Sequence, residues 1–89
     1  MNAIITVVGS DKVGIIANIA GFLAERNINI EDISQTVLSG NFVMMMMAHL
    51  SDEQKDLESI KKELTAIGDA MNVSISLMHE HVFSAMHRI

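Results

Sequence analysis

A short stretch near the amino terminus combines turn-forming residues with groups that could bind a small charged molecule. Residues 9–12 (Gly-Ser-Asp-Lys) form a typical turn sequence, and a helix is predicted to start near Val13. The Asp11 carboxylate could cap that helix, or it could accept a hydrogen bond from the ammonium group of a ligand. Gly14 has no Cβ, so an anion could approach the N–H groups at the helix N-terminus, although Gly14 could equally serve helix packing. Ligand binding and helix capping both stay open as interpretations of this turn.

Histidines near the carboxyl terminus suggest a second kind of chemistry. His79 and His81 are two residues apart, so on a strand both imidazoles would lie on one face, where they could bind a metal ion. The chain has no cysteine, and no acidic third ligand stands at a recognisable spacing. We therefore favour an interface role for His79, His81 and His87, and we predict neither a metal site nor a cofactor.

The residue inventory argues against several classes of enzyme. Without cysteine there is no thiolate nucleophile and no ligand set for an iron–sulfur cluster. A phosphate-binding loop after the first strand would need an arginine, but the two arginines are Arg26 and Arg88. No nucleotide-binding glycine loop and no G-x-S-x-G motif occurs. We predict a protein without catalytic activity.

Charge and hydropathy limit the partners. Six Lys and Arg against eleven Asp and Glu give a formal charge of −5, which would repel the phosphate backbone of a nucleic acid. The longest apolar run, residues 42–48, is far shorter than the roughly 20 residues that cross a bilayer. The amino terminus has no signal-peptide pattern. We expect a cytoplasmic protein that contacts neither nucleic acid nor membrane directly.

Hydrophobic periodicity predicts the secondary structure. The predicted elements are a strand at 3–8, a helix at 13–26, a kinked strand at 28–37, a strand at 42–48, a second helix that begins after Ser51 and runs to 71, and a strand at 73–78. The parity of the apolar residues changes after Glu31 and Asp32, as a β-bulge would cause. Ser51 and Gln54 form a predicted capping box for the second helix. Apolar residues in the tail at 81–89 share one side of a short helix.

The βαββαβ order predicts a ferredoxin-like α+β fold. Right-handed crossovers give a four-stranded antiparallel sheet with the first and third strands central and both helices on one face, plus a short C-terminal tail helix. We place one domain at 1–80 and a tail at 81–89 that packs on the domain or on a partner subunit. The face without helices carries part of the Met44–Met47 run and needs cover. Because so small a domain buries only about 60 to 65% of its unfolded surface, we expect a homodimer.

Two segments carry a family resemblance. Residues 9–20 read G-S-D-K-V-G-I-I-A-N-I-A, and residues 27–38 read N-I-N-I-E-D-I-S-Q-T-V-L. Together with the apolar strand that follows, they resemble the ACT domain, in particular the small stand-alone ACT proteins similar to the amino-terminal half of the glycine cleavage system transcriptional repressor. The resemblance covers residues 2–79.

The resemblance implies a binding site between two subunits. ACT domains generally pair and bind small effectors, often amino acids, with the loop after strand one of one domain and strand two of its neighbour. Carried over to this chain, the ligand-binding residues would be Asp11, Lys12, Gly14, Ile15, Asn29 and Ile30. Where relatives commonly carry proline this chain has Val13, and Asp11 stands where serine-sensing domains have asparagine.

The sequence therefore favours a non-catalytic regulatory module that binds a small ligand, such as an amino acid, at a homodimer interface. The alternative is a protein–protein interaction module without a small-molecule ligand, whose methionine-rich sheet face docks another protein. Saturable binding of a small molecule distinguishes the two.

Overall fold

The order of strands and helices agrees with the one predicted from the sequence. The structure is a computed structural model that describes residues 2–10, 14–50 and 57–86. The backbone alone is described at four of these positions, residues 38, 83, 84 and 86. The elements are β1 (Asn2–Ser10), α1 (Ile15–Glu25), β2 (Asn29–Leu38), β3 (Asn41–His49), α2 (Leu57–Met71), β4 (Val73–His79) and α3 (Glu80–Met86). The predicted capping box at Ser51 and Gln54 lies outside the described residues.

The four strands form one antiparallel sheet in the order β2-β3-β1-β4. β1 and β3 are central, as their apolar residues at both parities predict, and β2 and β4 are the edges. In the register, Ile5 lies between Met46 of β3 and Leu77 of β4. The predicted ferredoxin-like α+β topology is confirmed, and the short C-terminal helix is present.

One face of the sheet packs against α1 and α2 and forms the hydrophobic core. Because side chains alternate along a strand, every second residue of each strand points to this core face. The sheet contributes Ala3, Ile5, Val7, Phe42, Met44, Met46, Ala48, Val73, Ile75 and Leu77. The two helices contribute Ile15, Ile19, Phe22, Leu23, Ile60 and Leu64. Burial of each large side chain stabilises the fold by about 1.5 to 3 kcal/mol.

The other face of the sheet, called the open face here, carries the alternate residues. On β1, β3 and β4 its members are Ile4, Thr6, Val8, Val43, Met45, Met47, Ser74, Ser76 and Met78. Ile4 is only 6% exposed, whereas Val8 is 40% exposed. α3 contacts β1 and β4. The Met44–Met47 run thus divides between two surfaces, since Met44 and Met46 are fully buried in the core while Met45 and Met47 are half-buried on the open face.

The edge strand β2 contains the predicted bulge. The register with β3 shifts between Ile30 and Asp32, which leaves Glu31 as the extra residue. Ile30 pairs with Ala48 on the core side, and Asp32 pairs with Met47 on the open face. Before the bulge the even-numbered residues of β2 therefore face the helices, and after it the odd-numbered residues do.

Both ends of α1 are set by residues with positive φ. Gly14 (φ 90°) precedes the helix, and Asn27 (φ 57°) follows it. The Ile28 N–H donates to the Leu23 carbonyl at 2.9 Å and the Asn27 N–H donates to the Ala24 carbonyl at 3.1 Å, which is the Schellman arrangement. α1 therefore spans less than the predicted 13–26, because Gly14 and Arg26 form its caps; Val13 lies outside the described residues.

The two helices are tied together at one point on their outer surface. Arg26 at the end of α1 forms an ion pair with Glu63 of α2, and its Nε donates to Oε2 of Glu63 at 2.7 Å. The same guanidinium lies over the Phe22 ring, 4.3 Å from the ring centroid. No helix within the described ranges has the length and hydropathy needed to cross a bilayer.

Candidate functional site

Gly14 is the N-cap residue of α1 and determines the backbone conformation at its start. Its φ of 90° and ψ of −2° place it in the left-handed region, which glycine adopts without steric cost. The Gly14 carbonyl accepts two hydrogen bonds from Asn18, one from the backbone N–H and one from the side-chain Nδ2, each 2.9 Å long. Asn18 Nδ2 also lies 3.6 Å from the sulfur of Met71 at the end of α2. Asn18 thus holds the turn in place, a role that the sequence pattern did not reveal.

The first turn of α1 offers backbone N–H groups that have no acceptor within the helix. No acidic side chain lies in that first turn, and Gly14 provides no side-chain cap. The positive end of the helix dipole therefore favours an anion here. The Ile15 side chain is 2% exposed and belongs to the core, so this residue could offer a ligand only its backbone N–H. Asp11 and Lys12 lie outside the described residues.

Asn29 and Ile30 lie at the start of β2, on the opposite end of the sheet from the β1–α1 connection. Asn29 is exposed and pairs with His49 across the strands. His49 Nδ1 donates to Asn2 Oδ1 at 2.8 Å and lies 3.5 Å from a carboxylate oxygen of Glu31. The Ile30 side chain is half-buried against the core. Asn29 therefore lies in an exposed polar cluster at the foot of the edge strand.

The two halves of the predicted site do not meet within one chain. Gly14 precedes α1 and Asn29 follows it, and an eleven-residue helix spans about 16 Å. Two copies related by a two-fold axis perpendicular to the sheet would pair their β2 edges antiparallel, which moves the foot of one β2 toward the head of the other. A combined site therefore requires a second subunit.

The edge strand β2 exposes apolar side chains. Ile33 is 43% exposed and Val37 is 68% exposed, and both lie on the core side of β2 beyond the cover of the helices. An edge strand with exposed apolar residues is a typical site of association with another chain.

The His79 side chain caps the short helix α3. His79 ends β4, and its Nδ1 accepts a hydrogen bond from the His81 backbone N–H at 3.0 Å. The two ring centroids are 4.9 Å apart. His81 falls on α3 and not on a strand, so the two residues do not share the strand face that the metal-site alternative requires.

Catalytic machinery of the usual kinds is not visible in the part of the chain that the structure describes. No polar or charged side chain is buried there, and no three His, Asp or Glu side chains come together in a way that could hold a metal ion. What the described residues do provide is a helix N-terminus, an exposed edge strand and an open sheet face.

Comparison with known proteins agrees with the resemblance seen in the sequence. The family model for the ACT domain matches residues 2–78, so this chain belongs to the ACT domain family. It is similar over its whole length to a UPF0237 protein of Listeria innocua, with 46% identity over 89 residues that cover all of both chains.

Solved structures show the same relationship. An ACT domain protein from Streptococcus pneumoniae is 47% identical and superposes with a TM-score of 0.83. The match covers 93% of each chain. A protein assigned as a glycine cleavage system transcriptional repressor is 23% identical, with a TM-score of 0.76 over 85% of this chain and 44% of that one. The second likeness is one of fold alone.

Proposed function

We propose that this protein is a regulatory homodimer that binds an amino acid between its subunits. The ligand carboxylate binds the free N–H groups at the start of α1 beside Gly14. Asn29 of the partner subunit supplies a side-chain amide, and Ile30 next to it closes the site. Asp11 and Lys12, which stand just before Gly14 in the sequence, are proposed to contact the ammonium and the outer part of the ligand.

The observation that supports this proposal best is the separation of the two half-sites. Gly14 lies at one end of α1, and Asn29 lies beyond the other end on an exposed edge strand. In the proposed dimer the β2 edges pair, and Gly14 of each chain lies near Asn29 of the partner subunit. Ile33 and Val37 then lose their exposure, which contributes about 25 cal/mol for each Å² of apolar surface removed from water.

The output of such a site is the state of the dimer. A ligand that contacts both chains binds the dimer and not the monomer, so it stabilises association by mass action. By linkage, anything that binds the associated form alone then raises the affinity for the amino acid. Regulation therefore needs no catalytic group in this chain.

Thermal unfolding of the untagged protein, measured against each of the twenty amino acids, tests the proposal. A ligand at about 100 times its Kd adds about 2.7 kcal/mol to the free energy of unfolding. For a domain of this size the midpoint then rises by roughly ten degrees. We expect such a shift for one amino acid or a few related ones.

Two variants locate the site. Asn29→Ala is expected to abolish the ligand-induced shift, whereas Lys62→Ala is the control, because Lys62 is exposed on α2 and lies in neither half-site nor on the β2 edge. If no amino acid raises the midpoint of the folded protein, the proposal is wrong and the protein–protein interaction module becomes the better interpretation. A shift that survives Asn29→Ala would place the ligand elsewhere.

A further inference from the structure

A pocket on the open face is separate from both half-sites. It has a volume of about 180 Å³ and is lined by Ile4, Asp32, Ser34, Met45, Met46 and Met47. Ile4, Met45 and Met47 provide an apolar wall, and Met side chains adapt to the shape of a ligand. Asp32 and Ser34 form the side of the pocket that belongs to β2.

The bulge in β2 decides which of two adjacent carboxylates faces this apolar pocket. Glu31 is the extra residue, so Asp32 and not Glu31 lies opposite Met47 on the open face. Bulges commonly redirect a side chain toward a functional position. Asp32 Oδ1 accepts the Ile33 backbone N–H at 2.9 Å, which orients the carboxylate.

The charge around this carboxylate favours a cation. In the described ranges every lysine and arginine lies on the helical layer, at Arg26, Lys61 and Lys62, and none lies on a strand. The neighbouring Glu31 adds a second carboxylate, 3.5 Å from His49 Nδ1. A cationic group that comes from outside the described sheet therefore suits Asp32.

We propose that the pocket binds a small organic ammonium compound, with its apolar body against Ile4, Met45 and Met47 and its ammonium group on the Asp32 carboxylate. An apolar cavity of about 150 Å³ holds one benzene ring, so this pocket takes a single ring or a chain of similar volume. The Ser34 hydroxyl is the second polar contact. This site does not depend on dimer formation and is distinct from the amino-acid site proposed above.

The probe is phenethylamine, compared with phenethyl alcohol and phenylpropionate, which carry a similar ring with a neutral or an anionic end. Binding is followed through the methyl resonances of the methionines, assigned with Met45→Leu and Met47→Leu. We expect the amine to shift the Met45 and Met47 signals and to bind about fivefold more tightly than the alcohol. The anion should bind more weakly still.

Two variants test the role of the carboxylate. Asp32→Asn keeps an oxygen for the Ile33 N–H and removes the charge, so amine and alcohol should then bind equally. Glu31→Gln is the matched control and should keep the preference for the amine. The proposal is overturned if wild-type protein binds the three probes alike, or if Asp32→Asn keeps the preference. It is also overturned if the methionine signals shift with protein concentration and not with the amine, because a second copy then occupies the pocket.

Discussion

A Cβ atom on Gly68 would lie 2.7 Å from the carbonyl oxygen of Val73 and 3.1 Å from Cγ1 of Ile75. Gly68 is a buried interior residue of α2, which ends at Met71. The helix passes so close to β4 at this point that only a hydrogen fits. This contact sets the distance between the helical layer and the sheet.

Gly68→Ala should therefore destabilise the protein, although alanine favours a helix by about 1 kcal/mol over glycine. The clash with backbone must push α2 away from β4, and overpacking of this kind costs about 1 to 3 kcal/mol. Urea unfolding measures the difference. Gly21→Ala on α1 is the control, because nothing lies within 4 Å of its Cβ position, and it should stabilise the protein. A stabilised Gly68→Ala variant would contradict the close approach.

The methionine run should show alternating sensitivity. Met44→Ala and Met46→Ala remove fully buried side chains, and each should lower the free energy of unfolding by about 2 to 5 kcal/mol. Met45→Ala removes a half-buried side chain on the open face and should cost about half as much. Urea unfolding of the three variants checks the order. Equal losses at all three positions would mean that the open face is as fully covered as the core.

Arg26 and Glu63 should contribute unequally to the free energy of unfolding. Glu63→Ala removes a half-exposed ion pair and should cost less than about 1 kcal/mol, with the effect disappearing in about 1 M salt. Arg26→Ala also uncovers the Phe22 ring, so it should cost more, and the extra loss should persist in salt. Unfolding at low and high ionic strength separates the two. Complete recovery of the stability of Arg26→Ala in about 1 M salt would exclude a contribution from Phe22.

Charge on the outer strand should disrupt self-association. Val37→Lys introduces a charge on the exposed β2 edge, where lysine opposes pairing with another strand. Val8→Lys, on the open face at 40% exposure, is the comparison. Sedimentation should show a weaker dimer for Val37→Lys and an unchanged dimer for Val8→Lys. The reverse result would indicate that the open face, and not the β2 edge, joins the subunits.

His79 should determine how firmly α3 is held. His79→Ala removes the acceptor for the His81 N–H, and losing a side-chain cap of this kind costs about 0.5 to 2 kcal/mol. The amide hydrogens of α3 should therefore exchange faster in this variant, while those of β1 are unaffected. Asn at position 79 can accept the same N–H, so His79→Asn should restore much of the protection. Equal exchange in all three proteins would show that the cap has no effect.

The fold was predictable because its signals are local or periodic. Apolar residues at both parities placed β1 and β3 in the centre of the sheet, and the parity change in β2 indicated the bulge. Ser39-Gly40-Asn41 is a typical hairpin-turn sequence, and Ser39 and Gly40 both have positive φ between β2 and β3. Each of these features depends on a few neighbouring residues.

Features that depend on contacts between distant residues were not predictable. In the sequence Asn18 looks like an ordinary helix residue. Its role in holding the turn depends on contacts with Gly14 and with Met71, which is 53 positions away. The spacing of His79 and His81 suggested a shared strand face, but a helix begins between them. The resemblance selected Gly14 and Asn29 together, and the structure separates them because the site it implies needs two chains.

The bulge at Glu31 also gives β2 one position at which its length can change. Glu31 has no partner in β3, so removing this one residue would leave Ile30 opposite Ala48 and Asp32 opposite Met47, and every later side chain would keep its direction. The codon for residue 31 is therefore dispensable for the arrangement of side chains on the two sides of the sheet, and the local bend and twist of the edge strand are what its loss would alter.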